Sequence, residues 1–502
     1  MKINHLSLLF AFFLINSLGA QNSPSLSGNL QANGNFFVRD EKIGAAGTPQ
    51  YDRQLFGAET WLTLNYAYKG YDAGLRFDLF NNSNLPNPTD SYTAQGIGRW
   101  WLHKKIKALD ITGGYFYDQI GAGTIFRAYE ARPLNIDNAL YGVRLGYDLT
   151  PDWKVRVFTG KQKFNFDTYG AILKGAAIDG FIKIDSARGI SISPGAGIVS
   201  RTQDDQSISD MVAAITSYTP RDSIGVCTNT YAASFYNTLT IKSLSWYVET
   251  AFKTHDVMND PNAEKLNWNG STTLGKLVNR RGSVFYSNIN WSDKHWGITL
   301  EGKRTENFAF RTNPFVSGTR GAINFLPPTA RQNTYRLTAR FQPATQELGE
   351  QAAQMDIRYS PHKKLQFAVN VSAINNLDGG ALYREMFSEV TYKHLRKWQI
   401  IGGLQLQQYN KLVYEGKPDT VHTITPYGEF LYRFTPRRSV RIEAQYMHTP
   451  DDFGSWAFML VEVGLAPHWI FSASDMYKIK HSDTSTLPAD KTQYDNLHFW
   501  TA

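Results

Sequence analysis

The chain has almost no cysteine and no long apolar run. Its single thiol, Cys227, cannot form an internal disulfide, which excludes a small domain held together by disulfides. Beyond residue 20 no stretch approaches the ~18 consecutive apolar residues of a membrane helix, and the mean hydropathy is −0.37. The sequence therefore excludes a helical membrane protein.

Charge of one sign is not concentrated in any part of the chain. The formal net charge is +8, but the basic residues are scattered among 44 acidic ones, which argues against nucleic-acid binding. We expect the surplus Lys and Arg to face outer-membrane lipid and lipopolysaccharide. The 11 histidines include no pair three or four residues apart. No metal site and no cofactor is therefore predicted.

Residues 1–20 have the features of a cleaved secretory signal peptide. Lys2 precedes an apolar core over residues 6–15, and small residues end the segment at Ala20. Residues 21–502 show no shift of composition and are predicted to form a single β-barrel domain in the outer membrane of a Gram-negative bacterium. Periplasmic chaperones and the barrel assembly machinery are the partners expected during biogenesis. The oligomeric state stays open.

The dominant pattern is alternation of apolar and polar side chains over stretches of about ten residues. Leu75, Phe77 and Leu79, for example, alternate with Arg76 and Asp78. Crossing hydrocarbon takes roughly 9 to 11 strand residues, whereas strands of soluble sandwiches usually have about five or six. The sequence predicts an all-β fold, a large antiparallel transmembrane β-barrel of roughly 20 to 24 strands. Its periplasmic turns should be short and its extracellular loops long, with one such loop over residues 254–280.

Two irregularities interrupt this pattern. The order of long and short connections fails between residues 331 and 361, where we expect one segment that is not a spanning strand. Alternation has only begun again at residues 498–502, so we expect one or more closing strands to be missing. The first alternating stretch begins six residues after the signal, which leaves no room for an N-terminal plug domain.

Tryptophans gather near the predicted tight turns. Such clustering is typical of the aromatic girdle at the membrane interface, here the periplasmic one. The predicted girdle consists of Trp100, Trp101, Trp153, Trp246, Trp291, Trp296, Trp398 and Trp469.

Charged side chains occupy strand positions predicted to face inward. Both signs are present, which favours a lumen braced by ion pairs over a strongly ion-selective pore. We expect Arg76→Leu to assemble nearly normally, whereas Leu75→Arg should cost roughly 2 to 4 kcal/mol because it places a charge in lipid. The predicted lumen lining includes Asp72, Arg76, Asp78, Arg144, Asp148, Arg441 and Glu443.

The best candidate for a site lies in the Gly-rich connection 123–137. Arg127, Glu130, Arg132 and Asp137 crowd this segment. If the segment folds into the barrel, these charges would form a selective constriction. In the alternative, ion pairs from the same residues clasp an outer loop to the wall. The sequence favours the clasp without excluding the constriction.

Four stretches carry a resemblance to a known family. Residues 123–138 (GTIFRAYEARPLNIDN) resemble a signature of the DUF6029 family of Bacteroidetes outer-membrane proteins, and residues 324–335, 441–445 and 466–477 are similar to it too. The resemblance covers most of the mature chain. It implies a barrel fold and an outer-membrane location, and because no activity is established for the family, it transfers no catalytic residues.

Three functions are compatible with these features. The leading hypothesis is a porin-like barrel that passes or binds small molecules through a charged lumen. The second is a structural or scaffold barrel whose extracellular loops bind a partner. The third, an outer-membrane hydrolase, rests only on Asp204-Asp205, Asp451-Asp452 and His255-Asp256, and polar loops produce such pairs by chance. No enzyme and no catalytic residue is predicted.

Overall fold

The computed structural model describes residues 24–52, 54–85, 91–394, 397–418, 420–479 and 495–501. The predicted signal peptide, residues 1–20, lies outside them. No described helix has the length and apolar composition that crossing a bilayer requires.

The described residues are mostly strand. In chain order the strands are β1 Ser25–Phe36, β2 Phe56–Tyr68, β3 Tyr71–Ser83, β4 Tyr92–Ile106, β5 Leu109–Phe116, β6 Gln119–Ile120, β7 Phe126–Arg127, β8 Glu130–Ala131, β9 Ile136–Asp137, β10 Leu140–Thr150, β11 Trp153–Phe164, β12 Asp167–Gly180, β13 Ile182–Asp185, β14 Ile190–Thr202, β15 Asn229–Ile241, β16 Leu244–Leu266, β17 Thr272–Ser292, β18 Trp296–Glu306, β19 Gly349–His362, β20 Leu365–Asn375, β21 Ala381–His394, β22 Trp398–Asn410, β23 Thr420–Thr435, β24 Arg438–Met447, β25 Trp456–Leu465, β26 Trp469–Lys478 and β27 His498–Thr501. The helices are α1 Pro49–Asp52, α2 Asp205–Thr216 and α3 Lys411–Glu415, with short 3-10 turns at Glu41–Ile43 and Arg132–Leu134.

One antiparallel sheet contains every long strand. Each strand pairs with its neighbour in the chain, except that β5 pairs with β10 across the connection holding β6 to β9. β12 and β13 both pair with β14 and together take one strand position beside it, so the sheet has 22 strand positions. This confirms the predicted β-barrel architecture and its strand number. Among the described residues the sheet is not closed, since β1 pairs with β2 alone and β27 with β26 alone.

The two faces of the sheet differ in the way that alternation predicts. Apolar side chains such as Val143, Phe285 and Leu404 are exposed on the outer face. Arg76 and Gln405, on the inner face, are buried. A folded protein exposes so continuous an apolar face only where lipid or another apolar surface covers it. The outer face is therefore the lipid-facing one.

A charge on this outer face should destabilise the protein. Val371 lies near the middle of β20 and is exposed on the outer face. We expect Val371→Arg to lower the free energy of unfolding by about 2 to 4 kcal/mol, because the guanidinium would lie in hydrocarbon. Gln366→Arg, on the inner face of the same strand, is the matched control and should cost little. Denaturant unfolding in lipid vesicles measures both, and equal losses would contradict the assignment of faces.

The interior is occupied by two connections that fold onto the inner face. The first inward segment is residues 117–139, between β5 and β10, and the second is residues 307–348, between β18 and β19. The second contains no strand beyond a single bridge between Arg311 and Ala322. This segment explains why the order of long and short connections fails after residue 331. It lies inside the sheet, and no part of it is a membrane-spanning strand.

The two inward segments share a hydrophobic core with the wall. Ile125 and Phe126 of the first segment pack with Phe308, Phe310 and Ile323 of the second. Backbone bonds join the segments, from Arg127 N–H to the Ile323 carbonyl (2.9 Å) and from Phe325 N–H to the Gly123 carbonyl (2.9 Å). The wall contributes Phe116, Leu140, Phe158, Leu173, Ala177, Val199, Ala232, Ala251 and Val284. The segments therefore act as one packed body inside the sheet.

One predicted connection is wrong. The long loop expected over residues 254–280 is instead an extension of β16 and β17, which have 23 and 21 residues. These lengths exceed the roughly 9 to 11 residues that a span needs. The hairpin therefore continues beyond the membrane, where Val257 and Leu277 pack against Met211 and Ile215 of α2.

Candidate functional site

The first inward segment is held to the wall by a cluster around Arg76. The guanidinium of this β3 residue donates to Asp78 (2.7 Å) and reaches across to Glu130 (2.6 Å) and Asp137 (2.7 Å) of the segment. The Arg76 side chain is only 1% exposed. Lys163 of β11 contacts Asp137 as well, at 2.9 Å. The sequence predicts Arg76 only as a lumen-lining residue. The structure places it at the centre of the contacts made by the candidate residues Glu130 and Asp137.

Charges in this cluster compensate one another. Arg132 donates to Glu130 at 2.8 Å, so three cations (Arg76, Arg132, Lys163) face three carboxylates (Asp78, Glu130, Asp137). Burial alone would raise the pKa of Asp137, but Lys163 and Arg76 lower it to about 2. The adjoining cavity has a volume of only about 70 Å³. A neutral, tightly filled cluster matches the clasp alternative better than a selective constriction.

Arg127 is not part of this cluster. Its guanidinium lies 4.4 Å from the Tyr129 ring centroid and 4.2 Å from that of Phe325, in the second inward segment. The contact is a cation–π interaction that joins the two segments. Of the four candidate residues, the structure brings Glu130, Arg132 and Asp137 together and places Arg127 at a separate contact.

Removing both candidate arginines should loosen the interior without changing ion preference. We expect Arg127→Ala/Arg132→Ala to lower the free energy of unfolding by about 1 to 2 kcal/mol, because it removes the two cation–π contacts of Arg127 and one partly exposed ion pair of Arg132. Melting measures this loss, and the reversal potential under a salt gradient measures selectivity. A shift of reversal potential toward cations at unchanged stability would restore the constriction alternative.

A second anchor of the first segment is Glu249 of β16. The carboxylate is fully buried and accepts hydrogen bonds from the Ala122 N–H (2.7 Å), the Thr124 hydroxyl and the Tyr247 hydroxyl (2.5 Å). Gly121, with φ of +55°, lets the backbone turn directly over this carboxylate. Sequence reasoning missed Glu249 because its partners in the first segment, a backbone N–H and a hydroxyl group, are 127 and 125 positions away in the chain.

Buried charges of the wall also hold the start of the second inward segment. Arg201 of β14 pairs with Asp256 of β16 at 2.5 Å and donates to the Arg311 carbonyl at 2.6 Å. Lys253 pairs with the same carboxylate at 3.0 Å and donates to the Ala309 carbonyl at 2.5 Å. Each cation therefore neutralises Asp256 and satisfies a backbone carbonyl of the segment.

The second segment continues to the opposite part of the sheet. Gln445 of β24 accepts from the Leu337 N–H at 2.7 Å, and Gln405 of β22 donates to the Thr338 carbonyl at 3.1 Å. Arg340 pairs with Asp452 at 3.3 Å. The segment thus crosses the interior from β14 and β16 to β22 and β24.

Between the second segment and the wall lies a cavity that we call the vestibule. It has a volume of about 620 Å³ and is bounded by residues 256–259 and Pro261 of β16, by Arg201, and by Tyr129 of the first segment. From the second segment Phe315 and Phe325 contribute ring faces. This volume lies within the roughly 300 to 1,000 Å³ of small-molecule sites. No group of acidic, His and Cys side chains suited to a metal ion occurs among the described residues.

The structure places the other predicted lining residues on the inner face. Arg144 bridges Asp110 (3.2 Å) and Asp118 (2.7 Å), and Arg441 bridges Glu429, Glu443 and Glu462 at 3.0 to 3.2 Å. The remaining members also contact basic side chains, Asp72 with His103 and Asp148 with Lys105.

The predicted tryptophan girdle needs two corrections. Trp246, Trp291, Trp296 and Trp469 are exposed on the outer face near short turns, whereas Trp100 is exposed on that face seven residues before the turn at Lys107. Trp153 and Trp398 share that face by strand alternation. Trp101 points inward instead, where its ring meets the Arg99 guanidinium at 4.8 Å, because successive strand residues point to opposite faces.

The residue pairs behind the hydrolase hypothesis have structural partners. Asp204 caps α2, and Asp256 is held by Arg201 and Lys253. Ser455 Oγ and His448 Nδ1 lie 3.4 Å apart, but the hydroxyl also contacts the Thr449 backbone, at 3.2 Å from its nitrogen. The serine therefore shapes a turn.

The chain belongs to the family described as "Family of unknown function (DUF6029)", whose model matches residues 1–501. This confirms the family resemblance. No curated protein matches the chain.

Several solved outer-membrane proteins resemble the chain at a distance. OpdK of Pseudomonas aeruginosa with vanillate is 10% identical, with 89% of this chain and 97% of that chain covered and a TM-score of 0.38. The channel DcaP of Acinetobacter baumannii is 13% identical, with 78% and 98% covered and a TM-score of 0.32. A mutant of the ferric enterobactin receptor PfeA of Pseudomonas aeruginosa is 10% identical, with 90% and 74% covered and a TM-score of 0.45.

Proposed function

We propose that this member of the DUF6029 family passes small solutes through the polar interior of an outer-membrane barrel. The observation that carries the proposal is the pair of inward segments, which narrow the interior and leave a vestibule of about 620 Å³ beside them. A barrel serving only as a scaffold does not need connections folded onto its inner face. The segments thus act as the selective element of the passage.

Single-channel recording in planar bilayers tests this function. We expect the full-length mature protein to give discrete conductance steps, and solute-dependent swelling when it is reconstituted into liposomes. Heat-modifiable migration on gels, which reports a closed and detergent-resistant barrel, provides the control for assembly. Assembled protein that neither conducts nor supports swelling would contradict the proposal.

One observation favours the scaffold function as the second candidate. The hairpin of β16 and β17 extends beyond the length of a span and packs on α2. Its tip exposes Trp268 and Leu274, which are apolar groups suited to a partner surface. If permeation fails while this hairpin binds a cell-surface partner in crosslinking experiments, the scaffold function replaces the passage.

A further inference from the structure

Within the described residues, the charged side chains that line the vestibule are all paired. Four ionisable acidic or basic side chains line it, and they form two ion pairs, Arg201 with Asp256 at 2.5 Å and Arg311 with Glu347 at 2.7 Å. A charged solute group would have to leave water without gaining a free counter-charge, which is costly. The lining therefore selects against anions and cations alike.

The remaining walls combine flat apolar surfaces with hydrogen-bonding groups. Phe315, Phe325 and Met258 contribute apolar surface, and Asn259 and Gln346 contribute amides. Aromatic faces of this kind pack well against flat ring surfaces of a ligand.

We infer that the vestibule binds an uncharged, ring-bearing solute with hydroxyl groups, before the solute enters the passage. The inference rests on the proposed function and adds the class of solute to it. Stacking on the exposed Phe315 ring supplies the apolar contact, and the Asn259 and Gln346 amides form hydrogen bonds with the hydroxyl groups. The paired arginines stay with their carboxylates.

Three probes that share a ring and differ in charge test the inference on the full-length protein. Phenyl β-D-glucopyranoside is neutral, the matching glucuronide is an anion, and the matching 2-amino sugar is a cation. Calorimetric titration should show the neutral probe binding at least about tenfold more tightly than either ion. Equal binding of all three probes, or tighter binding of either ion, would overturn the inference.

Two variants locate the binding in the vestibule. Phe315→Ala removes a ring that is 48% exposed and so should not disturb folding, and it should weaken binding of the neutral probe about tenfold. Trp268→Ala, an exposed aromatic outside the vestibule, is the matched control and should change nothing. Ser317→Asp introduces an unpaired carboxylate into the lining and should improve binding of the cationic probe. Loss of binding in the Trp268 variant alone would overturn the assignment.

Conductance separates this inference from the proposed function. A protein that conducts but binds the three probes equally contradicts the inference and leaves the passage intact. A protein that binds the neutral probe through Phe315 but never conducts supports the assigned ligand class, and it refutes the passage.

Discussion

Replacing Arg76 with leucine is expected to destabilise the protein by about 3 to 5 kcal/mol, because it leaves buried carboxylates without their cation. Asp78 is almost fully buried beside Arg76, and Glu130 and Asp137 of the first inward segment lose the contact that holds them to β3. Lys163 still neutralises Asp137, which keeps the loss at a few kcal/mol. The segment should also loosen, so conductance should become noisier.

Arg358→Leu is the matched control for this variant. Arg358 is also an inward-facing strand arginine paired with an aspartate, at 3.0 Å from Asp356, but its side chain is 59% exposed. Exposed pairs contribute about 0 to 1 kcal/mol, so this variant should melt almost as the parent does. Denaturant unfolding in lipid vesicles measures the two losses. If Arg76→Leu proves as mild as Arg358→Leu, the cluster does not hold the segment to the wall.

Strand alternation predicts the face on which Arg76 lies, but it does not predict that Arg76 is buried. Alternation correctly predicts that Arg76 and Leu75 face opposite ways, and on that basis Arg76 was expected to tolerate leucine in a wet lumen. Alternation cannot predict that residues 54 and 61 positions later fold over Arg76 and bury it. Burial, which depends on contacts far apart in the chain, decides the energetic effect.

The architecture of the wall is the part that sequence predicts well. Within each strand, the alternation of apolar and polar residues indicates which face meets lipid, as Leu404 and Gln405 of β22 illustrate. The prediction fails in β16 and β17, whose extension beyond the membrane is predicted as a long loop over residues 254–280. Polar residues dominate this extension, so its sequence does not distinguish a strand from a loop.

The sequence of the second inward segment contains evidence that it folds inward, although its length and polarity are typical of an exposed loop. A connection exposed to water seldom carries Phe308, Phe310, Ile323 and Leu326 within so few residues, and all four are buried. Apolar side chains at this density indicate a connection that folds inward. Its partners on the wall, such as Gln445, could not be predicted, because they pair with backbone groups that sequence does not distinguish.

Deleting most of the second inward segment is expected to raise single-channel conductance on the order of tenfold, since the interior of a sheet this large is wide unless protein fills it. The ends of the segment permit this deletion. Phe308 N–H donates to the Glu347 carbonyl at 2.7 Å and Asn307 N–H to the Leu348 carbonyl at 2.9 Å. A four-residue Gly-Ser linker replacing residues 309–346 can therefore join β18 to β19 as an ordinary hairpin.

The control for this deletion shortens a connection that lies outside the interior. Glu264 pairs with Leu274 across β16 and β17, so an Asn-Gly turn can replace residues 265–273. That variant loses chain only beyond the membrane and should keep the parent conductance. Heat-modifiable migration must first show that both variants assemble. Parent-like conductance after assembly of the 309–346 deletion would mean that the second segment does not narrow the path, and a rise in the hairpin variant would place the restriction at the outer hairpin instead.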